Sequence, residues 1–177
     1  MKLGYACINM TLQAVDGITT NRGMRQKTFN EKGLDYVSEL ALQNCRDLVT
    51  IVKWNEEFGI RQFRMSSDIF PWMAYYDFKD LPDYVRITNL LKGVGTLAAK
   101  YGHRLTFHPG HFNALGSPNP AVVEKTIKEL NQHSEIMDLI GLTISPYNKI
   151  NIHVGGAYGD KEATLKRWIE NYNKLDW

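Results

Sequence analysis

Alternating apolar stretches and amphipathic helical stretches follow one another four times along this chain, and that succession limits the fold more than any other feature. A strand followed by a helix long enough to cross back forces the next strand to run parallel to the first. Residues 2–8, Lys-Leu-Gly-Tyr-Ala-Cys-Ile, read as an opening strand that stops at Asn9. Residues 10–33 form a long connection rich in Thr, Gly, Asn and basic residues, the kind of segment that serves as a binding loop or as a solvated linker. From Leu34 to Phe58 the apolar residues Leu34, Val37, Leu40, Ala41, Leu48, Ile51 and Val52 recur at helical spacing, and Gly59 provides a stop. A second strand is predicted over 60–65, an irregular aromatic stretch over 72–82, and a second helix over 83–101 with Gly102 as its stop. A third strand ends at His108-Pro109-Gly110, and Ser117-Pro118-Asn119-Pro120 opens a third helix. A fourth strand over 149–154 and a last helix over Lys161–Tyr172 complete the pattern.

The predicted fold is α/β: a parallel (β/α) barrel of the TIM type, limited to about four βα units. A complete barrel of that type takes about 250 residues, and this chain has 177. The whole of 1–177 therefore reads as a single domain, a half or truncated barrel that stops after its fourth helix. Such a half barrel is expected to leave strand edges and one sheet face open, which favours self-association.

In parallel α/β folds, sites are built at the C-terminal ends of the strands. His108 stands at such a lip, because Pro109 cannot extend a central strand and Gly110 permits a sharp turn. The pattern returns at Lys149-Ile-Asn-Ile-His153-Val-Gly-Gly, where another strand carries a His near its end. A single strand-end His is commonly just a hydrogen-bonded polar residue. Two at equivalent ends of successive strands could share one centre, and neutral imidazole is a frequent metal ligand. A catalytic metal takes three or more protein ligands, however. Asp68, at the end of the second strand in Ser66-Ser67-Asp68, is a third candidate, although taken by itself a cap or loop anchor is the leading explanation.

Composition excludes several classes. The net charge of +2 announces no global affinity for nucleic acid, although a local basic face remains compatible with it. The two cysteines, Cys7 and Cys45, form no CxxC and no ladder of spacings, which predicts free thiols in a cytoplasmic protein. No run of 18 apolar residues predicts a membrane span, and the N-terminal apolar run is too short for a signal sequence.

Taken together, Leu3-Gly-Tyr-Ala-Cys-Ile-Asn9, Thr20-Asn21-Arg22, Phe63-Arg-Met-Ser-Ser-Asp-Ile-Phe-Pro71, His108-Pro-Gly, Ser117-Pro118 and Ile152-His-Val-Gly-Gly-Ala-Tyr-Gly159 resemble the UV damage endonucleases. The resemblance follows this order across nearly the whole chain. It implies a TIM barrel related to the apurinic endonuclease IV group, holding a cluster of divalent metals, usually manganese, at its C-terminal face. It implies nicking of double-stranded DNA on the 5′ side of UV photoproducts. By position, His108 and His153 match two metal-binding His of the family, and Asp68 stands where some members carry a third. His111-Phe112 occupies the place of a pair that wedges into the duplex at the lesion. Phe keeps the stacking face of the usual Tyr and loses its hydroxyl. Tyr5 and Asn9 match residues that line the lesion pocket, and Asn21 and Arg22 fall on the expected DNA surface, with Arg25 and Lys27 nearby to track phosphates.

The remaining ligands of the family, on strands five to eight, have no counterpart here. The chain alone is therefore expected to lack a complete metal cluster and to nick poorly or not at all. Two other readings stay open: a non-catalytic half barrel that binds damaged DNA, and a sugar isomerase-like metal-dependent barrel.

Overall fold

The computed structural model describes residues 3–176, so Lys2 of the expected opening strand lies outside the described residues. Its sheet has three parallel strands in the order β1 (Gly4–Ala6), β2 (Gln62–Arg64), β3 (Arg104–Thr106), with Tyr5, Phe63 and Leu105 in register. This is the expected α/β architecture of a partial barrel. At Gly4 an added Cβ would lie 2.5 Å from the Gln62 carbonyl oxygen, so only glycine lets the first two strands approach this closely.

Helix α1 (Met10–Asp16) corrects the expectation of an unstructured connection. The Asn9 side chain caps it by accepting from the Leu12 N–H at 3.0 Å, and Gly17 closes it in the left-handed region. Seven residues with Leu12 as the buried one leave too little periodicity to read. Helix α2 (Gln26–Glu57) begins earlier than expected, but Gly33, at φ 62°, breaks it. The part after that kink is the helix that the apolar spacing predicts, and it buries Val37, Ala41, Leu48, Ile51 and Val52.

Helix α3 (Tyr84–Tyr101) ends at left-handed Gly102. Helix α4 (Pro120–Ile140) starts where Asn119 accepts from the Ala121 N–H, with Pro120 at its first turn. Helix α5 (Lys161–Tyr172) is capped by Asp160, which accepts from the Ala163 N–H. Helices α3 and α4 meet at Gly95, where a Cβ would fall 1.7 Å from the Ile140 carbonyl oxygen. The aromatic stretch after β2 folds over the core, with Phe70 stacked on Phe78 at 4.3 Å.

The expected fourth strand is reduced to a single parallel bridge, Phe107 to Ile150. Phe107 donates to the Lys149 carbonyl at 3.1 Å and accepts from the Asn151 N–H at 3.0 Å. The next donor along the ladder would be residue 109, a proline without an N–H. The third strand's stop therefore ends the pairing of its neighbour too.

Phe63, Met65, Leu105 and Phe107 lie fully buried in the main apolar core, together with the inward faces of α2, α3 and α4. Strand alternation sends Gln62, Arg64, Arg104 and Thr106 to the opposite, inner face. Both cysteines are free. Among the described residues no helix is long and apolar enough to cross a membrane.

His133 on α4 is enclosed between this core and β3. Its Nδ1–H donates to the Glu129 carbonyl at 2.8 Å, its ring meets Phe107 edge-on at 5.1 Å, and its Nε2 has no hydrogen-bond partner. Burial holds its pKa down at about 4, against about 6.5 in an unfolded chain. Below about pH 6.5 the unfolded chain gains a proton that the folded chain refuses. The stabilisation is thus complete above that pH and falls by about 3 kcal/mol as the pH drops to about 4. Urea midpoints measured across this window are expected to fall with acid in the native protein, and less steeply in His133→Gln.

Candidate functional site

The lip of the sheet brings the two strand-end histidines together. His108 stands just beyond β3, after Phe107, and His153 lies on the neighbouring extended segment, paired through the bridge at Phe107. Their Nε2 atoms are 2.6 Å apart. The His153 carbonyl accepts from the Trp168 indole N–H at 3.3 Å, so α5 helps hold this segment in place. Arg64, at the end of β2, reaches within 3.5 Å of His108 Nδ1. A guanidinium can only donate, so at this contact Nδ1 accepts and the His108 Nε2–H points at His153. Partial burial and the charges of His153 and Arg64 hold the His108 pKa below its ordinary value.

Two neutral imidazole nitrogens converging on one point suit a divalent transition metal as two of its ligands. Ligation through both Nε2 atoms needs the His108 proton on Nδ1 and Arg64 turned aside. Among the described residues, no group of three or more His, Cys, Asp or Glu stands close enough to hold a metal. The residues present therefore fit part of a metal site.

His111 and Phe112 extend the cluster along the lip. The His111 ring stands perpendicular to that of His153 at 6.5 Å and packs on Phe112 at 4.0 Å. Phe112 is 82% exposed, an unusual state for a large apolar ring. The turn that presents it is fastened to α4: Asn113 donates to Glu129 at 2.7 Å and Ala114 donates to Thr126 at 3.2 Å. Beyond Phe112 opens a groove of about 620 Å³, walled by Trp72, Tyr75 and Lys125 and also by Asn21 and Asp68. Asp68 thus stands on the groove side of Phe112, exposed, with its backbone N–H donating to the Ser66 hydroxyl.

The other candidates are tied into the scaffold. Tyr5 packs against Phe63 at 5.0 Å on the helix-covered side of the sheet, donates to Asn55 at 2.6 Å and accepts from Asn9 at 2.9 Å. Asn21 accepts from the Thr19 hydroxyl. Arg22 forms a clamp: its guanidinium donates to Asp47 and to the Thr19 and Gly17 carbonyls at 2.6–2.7 Å, and Asn44 pairs with its backbone on both sides. Arg25 and Lys27 remain exposed.

Residues 1–176 match the family model UV-endonuclease UvdE. The chain belongs to this family. A protein of Acanthamoeba polyphaga mimivirus is 43% identical over 176 residues, which is 99% of this chain and 53% of that one. A UV-damage endonuclease of Schizosaccharomyces pombe is 38% identical over 178 residues, 98% of this chain and 29% of its own. The crystal structure of SacUVDE superposes with a TM-score of 0.85 at 28% identity, covering 99% of this chain and 57% of that one. The chain thus spans about half the length, or less, of these relatives.

Sequence reasoning passed over Arg64. The signal was available, since alternation along β2 sets Gln62 and Arg64 on the same face, one residue pair before the Ser66-Ser67-Asp68 lip. It also passed over Trp72 and Tyr75, whose role as a wall depends on the fold of an irregular segment.

The Arg22 clamp yields a stability test. Asp47 is nearly buried and would keep only its bonds from Thr19 and Gln43 if the guanidinium were removed. Discounting for the partial exposure of Arg22, Arg22→Ala is expected to lower unfolding free energy by about 2 kcal/mol. Urea denaturation measures it, and an unchanged midpoint would mean that the clamp is solvated and dispensable.

Proposed function

We propose that this chain forms the first half of a DNA repair endonuclease that nicks double-stranded DNA 5′ to UV photoproducts with divalent metal, manganese in the first instance. The observation that carries the reading is the convergence of His108 and His153 at the strand lip of a UV-endonuclease family chain. His108 and His153 would hold a divalent ion there, which would supply an activated water and stabilise a leaving oxygen. The chain's own residues orient and recognise. Arg64 approaches His108 Nδ1 from the inner face and would turn aside as both Nε2 atoms take up the ion. Phe112, exposed on a fastened turn, offers a stacking face beside that centre. Stacking of about 1–3 kcal/mol per base would offset much of the cost of opening a duplex at a lesion. Arg25 and Lys27 sit where they can meet phosphates without reading sequence. In this reading Asp68 contributes from the groove wall, and the protein acts inside the cell, where its DNA is.

Because no third ligand joins the two histidines among the described residues, this chain alone is expected to nick little. The extended segment after residue 148 pairs with β3 along one edge only, and a second copy or the remaining half of a barrel would cover the other. A non-catalytic, lesion-binding half barrel is the alternative that the same incompleteness favours.

Nicking of a photoproduct-containing duplex with manganese, by this chain and by a form extended to the length of its relatives, separates these readings. Activity is expected only in the extended protein and is expected to vanish in His108→Ala and His153→Ala. Phe112→Ala is expected to weaken damaged-duplex binding about tenfold, the equivalent of losing one base stack. Lesion-dependent binding without cleavage by either form would establish the binding reading. Equal affinity of Phe112→Ala for damaged and intact duplexes, unchanged from the parent, would remove the wedge.

A further inference from the structure

A second pocket, of about 640 Å³, lies along the outer face of α4, away from the histidine cluster. Helical spacing places Glu124, Lys128, Asn131, Glu135 and Asp138 on one stripe of that helix, while Val123, Leu130, His133 and Ile136 turn into the protein. Asp77 and Asp176 close the pocket from the neighbouring turn and from the end of the described chain. Lys128 pairs with Asp77 at 3.2 Å, and Asn131 donates to Asp176 at 2.7 Å. Among the described residues Glu135 makes no ion pair, although the charge of Lys79 acts on it. Partial burial, with the carboxylates of Asp77 and Asp138 beside it, raises its pKa above the ordinary value.

A row of carboxylates alone is an ordinary solvated surface. Gln132 makes this one different. It lines the pocket, is only 5% exposed, and donates its Nε2–H to the Tyr76 carbonyl at 2.7 Å. That bond fixes the amide, and its Oε1 is left buried without any hydrogen-bond partner. A buried acceptor left unpaired costs free energy that a donor from outside would recover.

We propose that this pocket binds a guanidinium group, presented by an arginine of a basic protein segment, with Gln132 Oε1 and the Glu135 carboxylate as its acceptors. The geometry favours guanidinium over a metal ion. Among the described residues, no three acidic or other ligating side chains converge closely enough for coordination. A planar cation with five donors can reach acceptors set further apart, and it suits carboxylate and amide oxygens together. Its charge would also relieve the repulsion among Glu135, Asp77 and Asp138. The site lies outside the DNA reading and stands or falls without it.

The probe is N-acetyl-arginine amide, titrated into the intact protein while the side-chain amide resonances are followed by NMR. Saturable shifts of the Gln132 amide are expected, with N-acetyl-lysine amide binding more weakly. Glu135→Gln, which removes a repelled carboxylate and should not unfold the chain, is expected to weaken binding about tenfold, as for one charge-assisted hydrogen bond. Asp138→Asn is expected to weaken it less. Gln132→Met is expected to abolish the preference for arginine over lysine; its thermal unfolding reports whether the fold survives, and Glu135→Gln decides the matter if it does not. No saturable shift with arginine amide, equal affinity for lysine, or tighter binding of magnesium or calcium at the same residues would each overturn the proposal.

Discussion

The structure depends on one constraint: a parallel sheet must send its chain back through helices, and here those helices cover one face only. Phe63, Leu105 and Phe107 pack beneath α2, α3 and α4, so the buried side is apolar. The inner side carries Gln62, Arg64, Arg104 and Thr106. An isolated globular sheet would have little reason to line a concave face with arginines. A face that surrounds a polar site does. The alternation of side chains along each strand therefore divides the molecule into a packing half and a chemical half.

Pro109 joins these halves. It ends β3, releases His108 to the lip, and removes the donor that would have continued the pairing with residues 151–154. The fourth strand narrows to a bridge for that reason, and beyond that bridge the His153 segment is fastened to α5, through Trp168 to the His153 carbonyl and Thr164 to the Ala157 carbonyl. The same break supplies the turn on which His111 and Phe112 stand. A single residue type thus accounts for the end of a strand, the freedom of two imidazoles to meet, and the exposure of a ring.

Much of the fold was legible, and the reason is length. Helices α3, α4 and α5 each carry several turns of apolar periodicity and a Gly, Asn or Asp at a boundary, so pattern and caps agree. Helix α1 was not legible, because seven residues with one buried leucine carry no period. The early start of α2 was hidden by Gly33, which reads as a breaker and is accommodated as a kink. Among the site residues, the pairing of His108 with His153 followed from equivalent positions at strand ends. The roles of Tyr5 and Arg22 did not, since each finds a deciding partner on α2, Asn55 and Asp47, across a long stretch of chain.

The sequence by itself determined the order of the three strands and the long helices, their parallel sense and the lip at which two histidines would face one another. These are local matters: periodicity, capping and the missing N–H of proline act within a few residues. Only the tertiary structure decided that Asp68 lines a separate groove from the histidine pair, that Arg22 is held in a clamp, and that Gln132 is left with an unpaired oxygen beside a carboxylate stripe. Those outcomes depend on which surfaces meet after the chain has crossed back, and the spacing of residues along a chain does not encode that meeting.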